Sequence, residues 1–478
     1  MDQVEERPFG YHPPRFWWTK RIVVGSGGLV LLVVGFVIGA TAVSQRRLDA
    51  LIESYRAAGE PVYVEDFNVF NDIPDDENAA TYYRKAELAY AWPVGIIAGT
   101  QLNDLHRASL DSSSNALKSE IQHFINTNGE TIELLTKGGH CDEAEWGYTL
   151  TSPMTGALLP NLSSSRNLGK LLSIGAIQAH ASGRDDEALK LLIALQRLGD
   201  HRSVEPPVLV GHLVAMSITA LTCVAVEYVG HTLIVKSDFD AVPKNGSTRR
   251  QVQRLIEALL DESALNSSRS SALASERASL IEEMDRLGKG LAVGWYPTFP
   301  PPISWLVRPL LIEHSRQVAG IMTEIKLAAD MDTYPQEREN SPDLEVFFET
   351  GANWVMPAYI LIPSLGRAIY LDFRLRAERR MTVLSLAIRL FELDNGTRPE
   401  SLDALVPDYL GAVPRDPFAE GVTPIQYVPN AEPPVLYSIG MDGVDDGGRF
   451  ELRGDGSVDR DKADLVFFLN GDRPRAKY

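Results

Sequence analysis

Residues 167–201 read NLGKLLSIGAIQAHASGRDDEALKLLIALQRLGDH, and the punctuation of this stretch decides the fold class. Apolar and small residues recur at three- and four-residue steps, Ser182-Gly183-Arg184 interrupts them, and a second periodic run begins at Asp185. The acids Asp185, Asp186 and Glu187 stand where a new helix presents the positive end of its dipole. The stretch predicts two helices folded back on each other. Helical periodicity also marks residues 78–92, 115–136, 208–229 and 248–286, so the chain reads as mainly α. The last of these is polar, which predicts one buried stripe and a solvated remainder.

Residues 179–195, AHASGRDDEALKLLIAL, resemble a tetratricopeptide unit, with small residues where two helices approach and Gly183 at the turn. No second copy follows at that period. The expectation is an irregular helical bundle, with a TPR-like array as the alternative.

Toward the N-terminus, residues 22–43 (IVVGSGGLVLLVVGFVIGATAV) carry no charge, and about 1.5 Å of rise per residue makes them long enough to span a bilayer. Phe16, Trp17 and Trp18 stand at an aromatic-belt position, and Lys20-Arg21 and Arg46-Arg47 close the two ends. A cleaved signal peptide competes, since Ala40-Thr41-Ala42 has the form of a cleavage site, but the apolar run is too long for one. Gly35 and Gly39 form a small-xxx-small step. Arg7, Arg15, Lys20 and Arg21 slightly outnumber Arg46, Arg47 and Arg56, which places the N-terminus inside and the bulk of the chain outside the cytoplasmic membrane.

At 478 residues the chain exceeds what one hydrophobic core usually supports. The expected organisation is a cytoplasmic tail (1–21), a transmembrane helix (22–43), a helical ectodomain (44–365) and a small α+β domain (366–478). A net charge of -18 would repel a phosphate backbone and disfavour a strongly anionic membrane surface, so nucleic acid is not an expected partner. Cys141 and Cys223 are too few for a disulfide framework and too far apart for a zinc knuckle, and they read as free thiols.

Two stretches break the helical pattern. Residues 295–305, with Trp295, Pro300-Pro301-Pro302 and Trp305, and residues 354–365, with Trp354, Pro357 and Pro363, are apolar but interrupted by proline. They are expected to pack on the helical core, with a place at the membrane interface, where Trp and Tyr are favoured, as the alternative. His140, Cys141, Asp142, Glu143 and Glu145 are metal-binding types, but neighbours on a loop rarely converge on one ion, and no other His or Cys stands at zinc spacing. Glu276 and Arg277 lie within a predicted helix, where exposure is the default.

The C-terminal segment is turn-rich. A helix over 371–393 ends at Asp394-Asn395-Gly396, a short helix starts at Pro399, and strand-like runs follow at 425–427, 434–439 and 465–468. The order FELDNGTRPESLDALVPDYL, VPRDPF, IQYV, VLYSIGMDGVDDGG and ADLVFF resembles the globular domain of the type II secretion major pseudopilin over about the last hundred residues. That resemblance implies a calcium loop, with Asp442 at a ligand position and Asp446 or Asp464 at the second. Hard carboxylate oxygens on a flexible, Gly-bearing loop suit calcium independently, and Asp445 adds another.

The departures are as informative. A pseudopilin joins its globular domain directly to a membrane helix with a signature Gly, a processing site and a Glu, whereas here the span holds no Glu and about 320 residues intervene. The whole chain is similar to a family of membrane-anchored bacterial envelope proteins, a resemblance that implies placement but no reaction. Motifs for a Ser nucleophile elbow, a zinc protease or a phosphate loop are absent from the sequence. The expected role is a non-enzymatic envelope protein that binds a partner. The alternative is an extracytoplasmic hydrolase whose residues the fold assembles from distant positions.

Overall fold

The computed structural model describes residues 16–93, 102–111, 117–154, 162–236, 247–293, 300–344 and 356–474. Its first helix, α1 (Trp17–Ala57), contains the whole apolar run, and only 6% of its most apolar window is buried. This is the N-terminal apolar helix expected of a membrane anchor. It continues without a break past residue 43. Leu48, Ile52 and Tyr55, one turn apart, bury against Ile281, Ile312 and Ala319 of the body.

Next come α2 (Ala79–Ala89), α3 (Leu102–Ser109), α4 (Lys118–Thr127) and α5 (Gly129–Gly138). The single helix expected over 115–136 is broken at Asn128, and residues 115–116 lie outside the described chain. The Asn128 amide is fully buried and bonds to both Ala91 N–H and Ala91 O, so the break serves a distant segment rather than local propensity.

The predicted hairpin is α6 (Leu162–Ala181) and α7 (Asp185–Val204). Gly183 turns it with φ +70, a conformation costly to any residue with a Cβ. Asp185 does more than meet the helix dipole: its buried carboxylate accepts bonds from His180 Nδ1 at 2.6 Å and Ile234 N–H at 2.9 Å. α8 (Leu209–Val229) packs across both helices; it is apolar enough to cross a membrane, yet 61% of its window is buried inside the fold. A short parallel pair, β1 (Val235–Lys236) and β2 (Ser247–Thr248), leads to α9 (Arg249–Leu260) and α10 (Ser263–Gly288).

The sequence predicted one helix here; the fold has two. Buried Arg379 donates to the carbonyls of Ala258, Leu259 and Asp261, capping the end of α9. α10 is also buried nearly all round, not along one stripe. Arg277, expected to be exposed, is 1% exposed, lies 3.9 Å over the Tyr55 ring and pairs with Glu60 at 2.7 Å.

α11 (Pro301–Ala329) lies against α1 and α10, and α12 (Tyr334–Asn340) follows. α13 (Met356–Asn395) starts earlier than predicted and runs through Pro357 and Pro363, which were expected to interrupt it; Trp354 lies outside the described residues. After the short helix Leu402–Leu405 come β3 (Gln426–Val428), β4 (Val435–Ser438), β5 (Phe450–Leu452), β6 (Val458–Ala463) and β7 (Leu465–Phe468). β3, β4 and β7 form an antiparallel sheet in that order, and β5 and β6 form a hairpin.

The fold is thus mainly helical with a small C-terminal antiparallel sheet. Leu436, Leu465 and Phe467 from one face of that sheet join a hydrophobic cluster that also holds Leu384 and Leu386 of α13 and Leu192 of α7. Val435, Tyr437, Val466 and Phe468 from the other face pack with Val458 of β6.

Candidate functional site

The four predicted metal residues lie around the turn that leaves β4. Asp464 is fully buried, and its carboxylate accepts Gly448 N–H at 2.7 Å and Asp446 N–H at 3.4 Å. Burial, with Asp445 and Asp446 nearby, pushes its carboxyl up to about 6. Asp445 accepts the Tyr437 hydroxyl at 3.0 Å and Gly447 N–H at 2.9 Å. Asp442 stands apart, exposed, with its Oδ1 taken by Val444 N–H at 3.1 Å. Asp445, Asp446 and Asp464 therefore crowd electrostatically. Among the described residues, however, no three acid, His or Cys side chains gather as a metal cage.

Sequence reading missed Asp416, the residue that shapes this loop's entrance. Its buried carboxylate accepts Ser438 Oγ–H at 2.6 Å, Ile439 N–H and Phe418 N–H both at 2.9 Å, pinning the end of β4. Burial raises its carboxyl above the usual range against the pull of those donors. Its sequence signal is its place in VPRDPF, a short run between a helix and a strand that carries no site pattern of its own.

The fold assembles a second cluster from distant positions. His212 Nδ1 lies 3.1 Å from Ser268 Oγ, and His212 Nε2 lies 3.4 Å from Asp372 Oδ1, a hydroxyl–imidazole–carboxylate order with the two ring nitrogens exchanged relative to the acyl-transfer triad. Here the carboxylate is already committed to Arg269 at 2.7 Å and Arg376 at 3.0 Å. Burial would raise the Asp372 carboxyl; the two guanidiniums override it and hold the group well below the ordinary range. Ser268 is only 7% exposed, and the cluster braces α8, α10 and α13 against one another.

An open cleft of about 840 Å3 lies between the loop before α2 and the turn after α5. Its walls carry Asp72, Asp76, Glu77, Asp142 and Glu143 against Lys137 and His140. Comparison of the chain with protein-family models, curated proteins and solved structures finds no match. The cleft must therefore be read from its own geometry. α2 and α5 approach closely because Gly138 leaves room for a ring: a Cβ there would lie 2.6 Å from Tyr83 Cε1. Asn78 joins the walls, its side chain accepting Ala80 N–H and Glu145 N–H while donating to Glu145 O at 3.0 Å.

The five residues flagged as metal-binding types divide here. His140, Cys141, Asp142 and Glu143 line the cleft, whereas Glu145 accepts the N–H of Asn71, another wall residue. His140 Nδ1 is held by Thr136 O at 2.6 Å, and the Asp142 side chain is fully exposed. Both cysteines are free. Burial raises the Cys141 thiol, with Asp142 adding to it, and burial pushes Cys223 up to about 12, so neither is poised as a thiolate.

Proposed function

We propose that this chain is a single-pass bacterial envelope protein, anchored in the cytoplasmic membrane by α1, whose extracytoplasmic helical body holds a protein partner without catalysing a reaction on it. The acidic cleft carries this reading. Five exposed carboxylates across about 840 Å3, opposed by Lys137 and His140, suit a basic segment of a partner. The C-terminal part is a pseudopilin-like accessory module with calcium as its ligand. Support comes from the crowding of Asp445, Asp446 and Asp464, whose repulsion a divalent cation would relieve.

A photo-crosslinking residue at Ile73, in the full membrane-bound chain, tests the cleft directly. An adduct that forms with the native walls and disappears in Asp76→Lys/Glu77→Lys, with thermal unfolding unchanged, is the expected result. An adduct indifferent to charge reversal rejects the cleft as the site.

The competing reading is an extracytoplasmic hydrolase, and the Ser268–His212–Asp372 order is the observation in its favour. Labelling by a fluorophosphonate probe that Ser268→Ala abolishes would assign acyl transfer instead.

A further inference from the structure

We infer that the first turns of α11 dip into the lipid bilayer beside α1, so that the body rests on the membrane through a second, non-spanning element. The inference rests on reading α1 as the anchor. The two helices run in the same direction: Tyr55 Oη donates to Ala319 O at 3.1 Å, and Arg47 lies 4.0 Å from Glu313. From that register, Pro301 lies opposite the second half of the apolar run, roughly ten residues before Arg47 at about 1.5 Å each. The contact face of α1 continues to that level, with Val37 buried and Thr41 and Ser44 half-buried in line with Leu48, Ile52 and Tyr55.

The surface that α11 shows there is apolar. Ile303, Trp305, Leu306 and Leu310 are 46%, 39%, 48% and 56% exposed. Ile303 to Leu306 fall within about 10 Å of the end of the apolar run, the depth of an interfacial helix. Trp305 has the amphipathic ring favoured at that boundary. Arg47 and Arg308, with Lys289 at the end of α10, stand at headgroup level, accompanied by Glu313 and Asp285.

The helix start itself is suited to lipid. A helix normally begins with orphan N–H groups, which are costly away from water. At α11 the first positions are Pro300, Pro301 and Pro302, which have none to leave unpaired. Ile303 N–H and Ser304 N–H both reach Pro300 O, at 2.8 and 3.0 Å, and Ser304 Oγ donates to Pro301 O at 3.0 Å. Pro is common at helix starts in water as well, so the register with α1 and the exposed apolar side chains carry the assignment. The partner is the headgroup–acyl boundary of the bilayer.

Single cysteines carrying an NBD label, placed in a Cys141→Ala background where Cys223 is buried, test this in the full chain. The chain is reconstituted in phosphatidylethanolamine–phosphatidylglycerol vesicles containing lipids spin-labelled at shallow and deep positions along the acyl chain. Labels at Leu31→Cys and Leu306→Cys should be quenched at least about twofold more than at Leu327→Cys, which is exposed farther along α11. Quenching at 31 with 306 no better than 327 overturns the inference and leaves the anchor standing. Quenching at neither 31 nor 306 overturns both.

Discussion

Glu227 on α8 and Arg473, near the C-terminus, form a buried ion pair with Nε 2.6 Å from Oε2 and Nη2 2.8 Å from Oε1. The same carboxylate accepts Phe468 N–H at 2.8 Å from β7. A helix that reads as purely apolar thus carries the acid that fastens the C-terminal sheet to the body. Arg460 of β6 adds a second fastening to Glu378 of α13 at 2.8 Å.

Removing one partner of such a pair strands a buried charge, at a cost of about 3 to 5 kcal/mol. Arg473→Ala should lower unfolding stability in denaturant titration by about that amount. Glu227→Gln with Arg473→Met should cost less than Arg473→Ala alone, because no charge is left stranded. Equal losses would mean that the pair itself, not the stranded acid, sets the energy.

Glu276 gives a pH signature. Burial pushes its carboxyl up to about 7 from an ordinary 4.5, against the Leu209 N–H it accepts. The folded state therefore binds this proton more tightly than the unfolded chain, and stability falls as pH rises from about 4.5 to 7. Glu276→Gln keeps the acceptor and removes the titration. The variant should gain on the native chain across that window, by roughly 3 kcal/mol at neutral pH, as measured by unfolding at pH 5 and pH 7.5. A pH-independent difference would refute the assignment.

The calcium proposal calls for the full chain, because Leu436, Leu465 and Phe467 share a core with α7 and α13. With free calcium at one hundred times its dissociation constant, binding to the folded state adds about 2.7 kcal/mol. Melting should occur higher in calcium than in chelator, magnesium should substitute poorly, and Asp445→Asn or Asp446→Asn should remove most of the gain. Superimposable melting curves would make the loop an acidic surface turn.

The α6–α7 hairpin was legible because its signals are local: Gly183 supplies the turn and Asp185 the helix start. The strand runs around Tyr427, Leu436 and Phe467 were legible for the same reason. The breaks at Asn128 and after Leu260 were not, since each serves a partner far along the chain, Ala91 and Arg379. Arg277 misled in the same way: its charge suggested solvent, and only the fold brings Glu60 and Tyr55 to it. Of the cleft, the wall at His140 to Glu143 drew notice as a metal-binding string. The opposing acids Asp72, Asp76 and Glu77 gave no motif, because their meaning depends on the packing of α2 against α5.

Retention of α1 in the mature chain as its membrane anchor is tested by alkaline extraction of membranes, followed by N-terminal sequencing of the recovered chain. The chain should stay in the pellet with residues 1–21 still attached. A chain released to the supernatant, or one beginning at Val43, would contradict it.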